Sequence, residues 1–391
     1  MDKDANAPFS QRYFDALIAG TALVQEVLPE ITRAGEAVAE RLVAGGELFI
    51  VSVRPDFVSE GFVRAGGLML LKEHTPNVQL SEQDAVIFGW SNTTPEKDLA
   101  MLQQLHQTGA LVVGVGPSPP TDIAQEFLTH VNLFMESLPP LPAAVTARFS
   151  GESYPLISLQ NLIVLWTFTG EMVAALTRQG YMPTMYQSVL VPGARERNGE
   201  FHHQRFQDKH AVPSIPAEQL GQTYLEELSQ CLRAVREEEI AAIETVARVC
   251  TEVRTNGHHV YAALISHFPV YQLGAPGDPK FMQSLEQLSG ETPQVAELER
   301  KLQPGDLFFF LGYYRRPAEA YEIARRAQAL IVEIIGSTPS IDHHPPDHTI
   351  QPRWPFGDAL VPVPNYDIKI LPSSGILQTA IYWAVVGSMY G

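Results

Sequence analysis

"FGWSNTTPEKDLAMLQQLHQTGALVVGVG", residues 88–116, holds two short apolar runs around a polar turn and a helix-spaced segment. Its first residues end the run DAVIFGW, a buried strand by pattern, and ALVVGVG is a second one. Between them PEKDLAMLQQLHQTG has apolar residues at helical spacing, with Pro95 at the first helical position and Thr94 as its cap. Strand, turn, helix and strand in that order form the unit of a parallel sheet covered on both faces. The turn itself is Ser91, Asn92, Thr93 and Thr94. A helix N-terminus offers unpaired N–H groups to an anion there, while the same residue types also serve as ordinary caps. Spacing alone leaves both readings open.

The pattern extends in both directions. Residues 12–44 read as two helices broken near Pro29, followed by the buried strand ELFIVSV and by SEGFVRAGGLMLL as helix and turn. VNLFMES is a further strand, and LISLQNLIVLWTFTGEMVAALTRQG a long closing helix. Residues 182–222 are rich in Pro, Gly and polar residues and read as a linker or extended arm. The pattern then restarts with one long helix over YLEELSQCLRAVREEEIAAIETVARVC and a strand in TNGHHVYAALISHF. GDLFFFLGYYRRPAEAYEIARRAQALIVEIIG repeats the layout of residues 84–116, DALVPVP adds a strand, and SSGILQTAIYWAVVGSMYG closes the chain as a helix. Gly46 and Gly257, Phe57 and Phe268, Pro95 and Pro317, and Leu159-Gln160 and Leu377-Gln378 recur in one order, which points to an internal duplication.

Composition bounds the function. The chain has 391 residues, 45% of them hydrophobic, and a net charge of −17. Without a basic run, a nucleic-acid backbone is an unsuitable partner. Cys231 and Cys250 lie far apart without metal-ligand spacing, which fits a reducing compartment. The N-terminus lacks an apolar targeting core and no segment reads as a membrane span, so the expected location is cytoplasmic.

At the 88–116 junction the sequence resembles the phosphate loop of SIS (sugar isomerase) domains, S-x-S-G-x-T-x-E followed by a helix, a Gly and a valine-rich strand. SEGFVRAGG is similar to the E-x-x-x-R-A-G-G segment of one SIS branch of sugar-phosphate isomerases, and MPTMYQSVLVPGARERN and GDALVPV…ILPSSGILQTA resemble further segments of it. The resemblance spans most of residues 12–206 and returns more faintly over 224–391. It implies phosphate binding by Ser91, Asn92, Thr93 and Thr94, with Glu96 completing the motif. It also implies that Glu60 is the base that moves a proton between C1 and C2 of a sugar, a task for a positioned carboxylate. Gly89 stands at the motif's first serine and Asn92 at its glycine. The stretch after the first strand, Ser52-Val53-Arg54-Pro55-Asp56, lacks the usual glycines, although Ser52 and Arg54 could meet a phosphate there. The final helix LQNLIVLWTF lacks a catalytic His. Arg64, four residues after Glu60, can pair with it or reach a substrate anion.

In the second half Tyr313, Tyr314, Arg315 and Arg316 replace the small turn residues and would fill the equivalent pocket, although the arginines could bind a phosphate by a different geometry. Ser373 and Ser374 line a site or cap the closing helix. Histidines cluster at His202, His203 and His210, at His258, His259 and His267, and in IDHHPPDHTI with His343, His344, Asp347 and His348. The last group reads either as a surface loop or as a metal site, and one of these histidines, with His267 a possible contributor, could enter a sugar site from the neighbouring half or subunit.

The expectation is therefore an α/β chain of two tandem doubly wound parallel-sheet units, SIS-like and of flavodoxin type, forming a pseudo-dimer. Residues 1–181 form the first unit, 182–222 the arm, and 223–391 the second, divergent unit. The implied function is a sugar-phosphate isomerase with a small phosphosugar as ligand. The alternative is a non-catalytic sugar-phosphate binding or regulatory protein. No cofactor, metal, nucleic acid or membrane is called for, and a homodimer is compatible.

Overall fold

The computed structural model describes residues 7–91, 93–137, 154–207, 212–264, 267–285, 295–336 and 345–390. Helices α1 (Phe9–Leu23) and α2 (Leu28–Val43) are joined by a short 3-10 turn, as the break near Pro29 predicts. The first sheet follows: β1 (Leu48–Ser52), α3 (Pro55–Gly61), β2 (Leu71–Glu73), β3 (Ala85–Gly89), α4 (Pro95–Gln107), β4 (Leu111–Gly116), α5 (Ala124–His130) and β5 (Leu133–Glu136). Helix α6 (Tyr154–Arg178) closes the unit. The arm contains α7 (Ala194–Phe201).

Helices α8 (Gln219–Glu238) and α9 (Ile240–Thr255) open the second unit. After them come β6 (Val260–Leu264), a 3-10 turn (Phe268–Tyr271), β7 (Gln283–Ser284), α10 (Val295–Lys301), β8 (Leu307–Leu311), α11 (Ala318–Arg326), β9 (Leu330–Ile334) and β10 (His348–Ile350). Strands β11 (Ala359–Pro362) and β12 (Lys369–Pro372) precede the closing helix α12 (Ser374–Tyr390).

Each half is a five-stranded parallel sheet, and the orders β2-β1-β3-β4-β5 and β7-β6-β8-β9-β10 are the same topology. The central strands AVIFG and LFFFL are buried along their whole length because helices cover both faces, so their apolar runs are continuous rather than alternating. In the register β1 to β3, Ile50 pairs with Ile87 and Ser52 with Gly89. That register brings the ends of both strands to one crevice.

The halves are interlocked. Helix α1 packs on α8 and α12 of the second half, and α6 lies against both α2 and α8. One apolar core, including Phe14, Trp166, Tyr224 and Trp383, runs through both. Buried Glu171 of α6 accepts the N–H groups of Glu218 (2.7 Å) and Gly221 (2.8 Å) and the Thr32 hydroxyl (2.9 Å), so it satisfies the start of α8. The segment Pro155–Arg178 is long and apolar enough to cross a membrane by length and composition alone, but nearly all of it is buried inside the protein as a core helix.

Two segments differ from their sequence reading. The single long helix expected after the arm is two, because Glu239 turns inward between them to the Arg353 guanidinium and the Gln351 N–H. Both helices bury their apolar faces in the same core, so the periodicity runs through the break. DALVPVP does form a strand, β11, but it pairs antiparallel with β12 outside the second sheet.

Candidate functional site

In open parallel sheets, ligands sit beyond the carboxyl ends of the strands. Here α3, which follows β1, packs across the boundary between the halves on the 3-10 turn that follows β6 and starts at Phe268. Helix α3 carries Glu60 and stops at Gly61. The chain then turns back through Val63, whose φ of 52° is unfavourable for a β-branched residue. This turn, rather than a shared helix face, sets Arg64 Nε 3.0 Å from Glu60 Oε1.

Arg64 reaches into the second half with its other nitrogens. Its Nη2 lies 3.2 Å from Asp358 Oδ2 and also donates to the Ser374 hydroxyl. The carboxylate of Asp358 accepts the N–H groups of Ser373 (3.1 Å) and Ser374 (2.7 Å) and the Ser374 hydroxyl (2.6 Å). Asp358 therefore caps α12 and neutralises Arg64 at once. The second oxygen of Glu60 accepts the Phe268 N–H at 3.2 Å. Glu60 is 1% exposed and Asp358 fully buried. Burial raises the Glu60 pKa, outweighing the opposing pull of Arg64. For Arg64 burial works the other way, but Glu60 and Asp358 prevail and hold it cationic.

His267 comes from the second half. Its Nδ1 lies 2.9 Å from the Ser59 carbonyl oxygen, which can only accept, so Nδ1 carries the proton and Nε2 keeps a lone pair. Burial and the nearby Arg64 cation push its pKa down to about 4. It is a neutral imidazole near pH 7. Its φ of 73° and ψ of −146° place it in backbone space that non-glycine residues rarely occupy, and such strain clusters at functional sites.

Arg64, His267, Ser374, Tyr313 and Gln378 line one cavity of about 460 Å³ together with residues of the arm. Tyr186, Ser188, Arg195 and Asn198 supply the arm's share. The structure thus gathers Glu60, Arg64, His267, Ser373 and Ser374 at one place.

Three of the remaining expected residues, Ser52, Arg54 and Ser91, line a second, narrow cleft. Ser52, Arg54, Ser91 and Asn161 border about 10 Å³ of space, the volume of a single water and far below that of a phosphate. The Ser91 and Thr93 hydroxyls bond each other at 2.7 Å, Ser52 Oγ donates to the Gly89 carbonyl, and Arg54 pairs with Asp56 at 3.4 Å. Thr94 is the N-cap of α4 but makes no side-chain cap bond, and Glu96 is exposed. Asn92 lies outside the described residues.

In the second half Arg316 grips fully buried Glu333 with Nε and Nη2, and Tyr321 and Thr349 complete the shell. Tyr314 bonds the Pro355 carbonyl. No group of three or more His, Cys, Asp or Glu suited to a metal occurs among the described residues. His210, His343 and His344 fall outside them, Asp347 accepts the Ile331 N–H, and His348 begins β10.

No family model matches the sequence, and a search of curated proteins gave no match. Solved structures do match the fold. A "putative phosphosugar isomerase" from Clostridium difficile 630 aligns over 99% of this chain and 92% of its own, with a TM-score of 0.51 at 10% identity. The fold is a tandem SIS fold. The C-terminal domain of glucosamine-fructose-6-phosphate aminotransferase from Francisella tularensis shares it, over 100% of this chain and 96% of that one, with a TM-score of 0.50 at 8% identity. At such identities the likeness concerns the SIS fold alone.

Sequence reasoning missed Asp358 and the arm. Asp358 lies just ahead of a strand in a Pro-, Gly-rich stretch, where an acid reads as solvated. The arm has no periodicity, so nothing in its pattern marks it as a cavity wall.

Proposed function

We propose that the chain binds a small sugar phosphate in the cavity between its halves and interconverts its aldose and ketose forms. The observation that carries this reading is the meeting of Glu60 from the first half with His267 from the second beside a cavity of about 460 Å³. Isomerisation moves a proton between adjacent carbons and protons between the attached oxygens. Glu60, made more basic by burial, is suited to the carbon proton, and Asp358 keeps Arg64 neutralised while the Glu60 charge changes. The neutral His267, with Nε2 free to accept, is suited to a hydroxyl proton. Once Glu60 has taken up the carbon proton and lost its charge, Arg64 on the cavity wall is suited to donate an N–H to the developing enediolate oxygen. The matching sheet topologies support descent of the two halves from one duplicated unit, and the site is assembled within a single chain.

One observation favours the second reading, a binding or regulatory protein without turnover. Both Glu60 oxygens are already engaged, by Arg64 and by the Phe268 N–H, and the side chain is 1% exposed. NMR in D₂O separates the two. An isomerase exchanges the C1 or C2 proton of its sugar phosphate; a sensor binds the same compound and exchanges nothing.

A further inference from the structure

We propose that the anionic end of the ligand is held by Arg195 of the arm rather than by the turn at the start of α4. The inference rests on the phosphosugar reading, in that it takes the ligand to carry a phosphate.

Three observations converge on it. Ser91, which opens the turn where the strand-to-helix layout invites an anion, borders only about 10 Å³, and its hydroxyl is bonded to that of Thr93. The matching turn in the second half is also taken. Arg316 there is held by both oxygens of Glu333, a carboxylate that would repel an incoming anion. The third observation is the charge on the large cavity. Two of its lining residues are arginines, Arg64 and Arg195. Arg64 is balanced by Glu60 and Asp358, which together leave no net positive charge for a ligand. Arg195 is exposed and has no carboxylate partner among the described residues.

The arm is built to hold that arginine in place. Arg197, two residues on, makes a paired contact with Asp367 of the second half (2.5 and 2.8 Å) and donates to the Met185 carbonyl. Asn198 bonds the backbone of Gln187 in both directions, at 2.9 and 2.8 Å. Helix α7 is thereby fixed to the loop that precedes it and to the opposite half. Arg195, on the same short helix, presents a guanidinium to the cavity, and its planar fork suits two oxygens of a phosphate. In a chain of net charge −17, an unpaired arginine in a concave site also gathers anions from solution.

The experiment titrates the full chain with inorganic phosphate and with a panel of hexose 6-phosphates and pentose 5-phosphates, beside the unphosphorylated sugars, by calorimetry. Arg195→Ala should weaken phosphate-bearing ligands at least tenfold, Arg195→Lys less, and the Ser91→Ala/Thr94→Ala double variant less than twofold. Because Arg195 is exposed, its variants should melt with the parent. Full affinity in Arg195→Ala together with loss in the double variant overturns the inference and leaves the phosphosugar reading standing. A parent chain that binds the free sugars as tightly as their phosphates, or binds no probe, overturns the reading and the inference with it.

Discussion

Arg64 of the first half and Asp358 of the second lie 3.2 Å apart, both almost wholly out of solvent, and Glu60 meets the same guanidinium at 3.0 Å. One cation thus serves two buried carboxylates and ties the cavity floor across the boundary between the halves. Removing the cation leaves both acids without their charge partner. Arg64→Met should destabilise the chain by about 3–5 kcal/mol in urea unfolding. The loss should be larger at pH 8 than at pH 5, because the stranded acids can take up protons at the lower pH. A variant as stable as the parent at pH 8 would show that the pair has no structural weight.

Gly375 on α12 is the neighbour that Glu60 cannot spare. A Cβ there would fall 2.1 Å from Glu60 Oε1 and 2.4 Å from its Cδ. Gly375→Ala should therefore displace the carboxylate from Arg64 and cost about 1–3 kcal/mol, the usual range for overpacking. Proton exchange on the sugar should fall with it. Retained exchange in a well-folded Gly375→Ala chain would remove Glu60 from the chemistry.

Asp98, one turn into α4, is 1% exposed, and neither carboxylate oxygen has a hydrogen-bond partner. Burial pushes its pKa up to about 7. A carboxyl with a raised folded-state pKa supports stability at low pH, and that support is lost as pH rises through about 7. Asp98→Asn should flatten this part of the profile and recover on the order of 1–3 kcal/mol at pH 8. Melting temperatures of parent and variant between pH 5 and 8 decide it; parallel curves would mean that Asp98 is ionised without cost.

Glu60→Gln keeps shape but cannot accept a proton, so sugar-phosphate affinity should survive while C1/C2 exchange drops at least 100-fold. His267→Gln should reduce exchange more modestly and leave the Arg64 network intact. If Glu60→Gln exchanges normally and His267→Gln does not, the proton acceptor is the imidazole.

The sheet was legible because parallel strands buried on both faces leave continuous apolar runs such as AVIFG, LVVGVG and LFFFL. The Ser-Asn-Thr-Thr turn was equally legible as a strand-to-helix junction. The narrowness of the cleft at Ser91 was not, since Phe57 and Phe268 come to line it from other parts of the chain. Resemblance to SIS sequences marks Glu60, and spacing marks Arg64 beside it, yet the geometry joining them is a reversed turn at Val63 and not the helix that the spacing suggests. Asp358 sits 294 positions from Arg64 and becomes its partner only when the halves interlock. The arm escaped for a related reason: it is held by side-chain bonds such as Arg197 to Asp367, which carry no periodic signal.

The most direct test of the central claim is an experimental structure of the chain with a bound sugar phosphate, chosen from the panel by affinity. The account predicts density in the cavity between the halves, with the sugar carbons over Arg64 and His267 and the phosphate on Arg195. Density at Ser91–Thr94 with that cavity empty would contradict it.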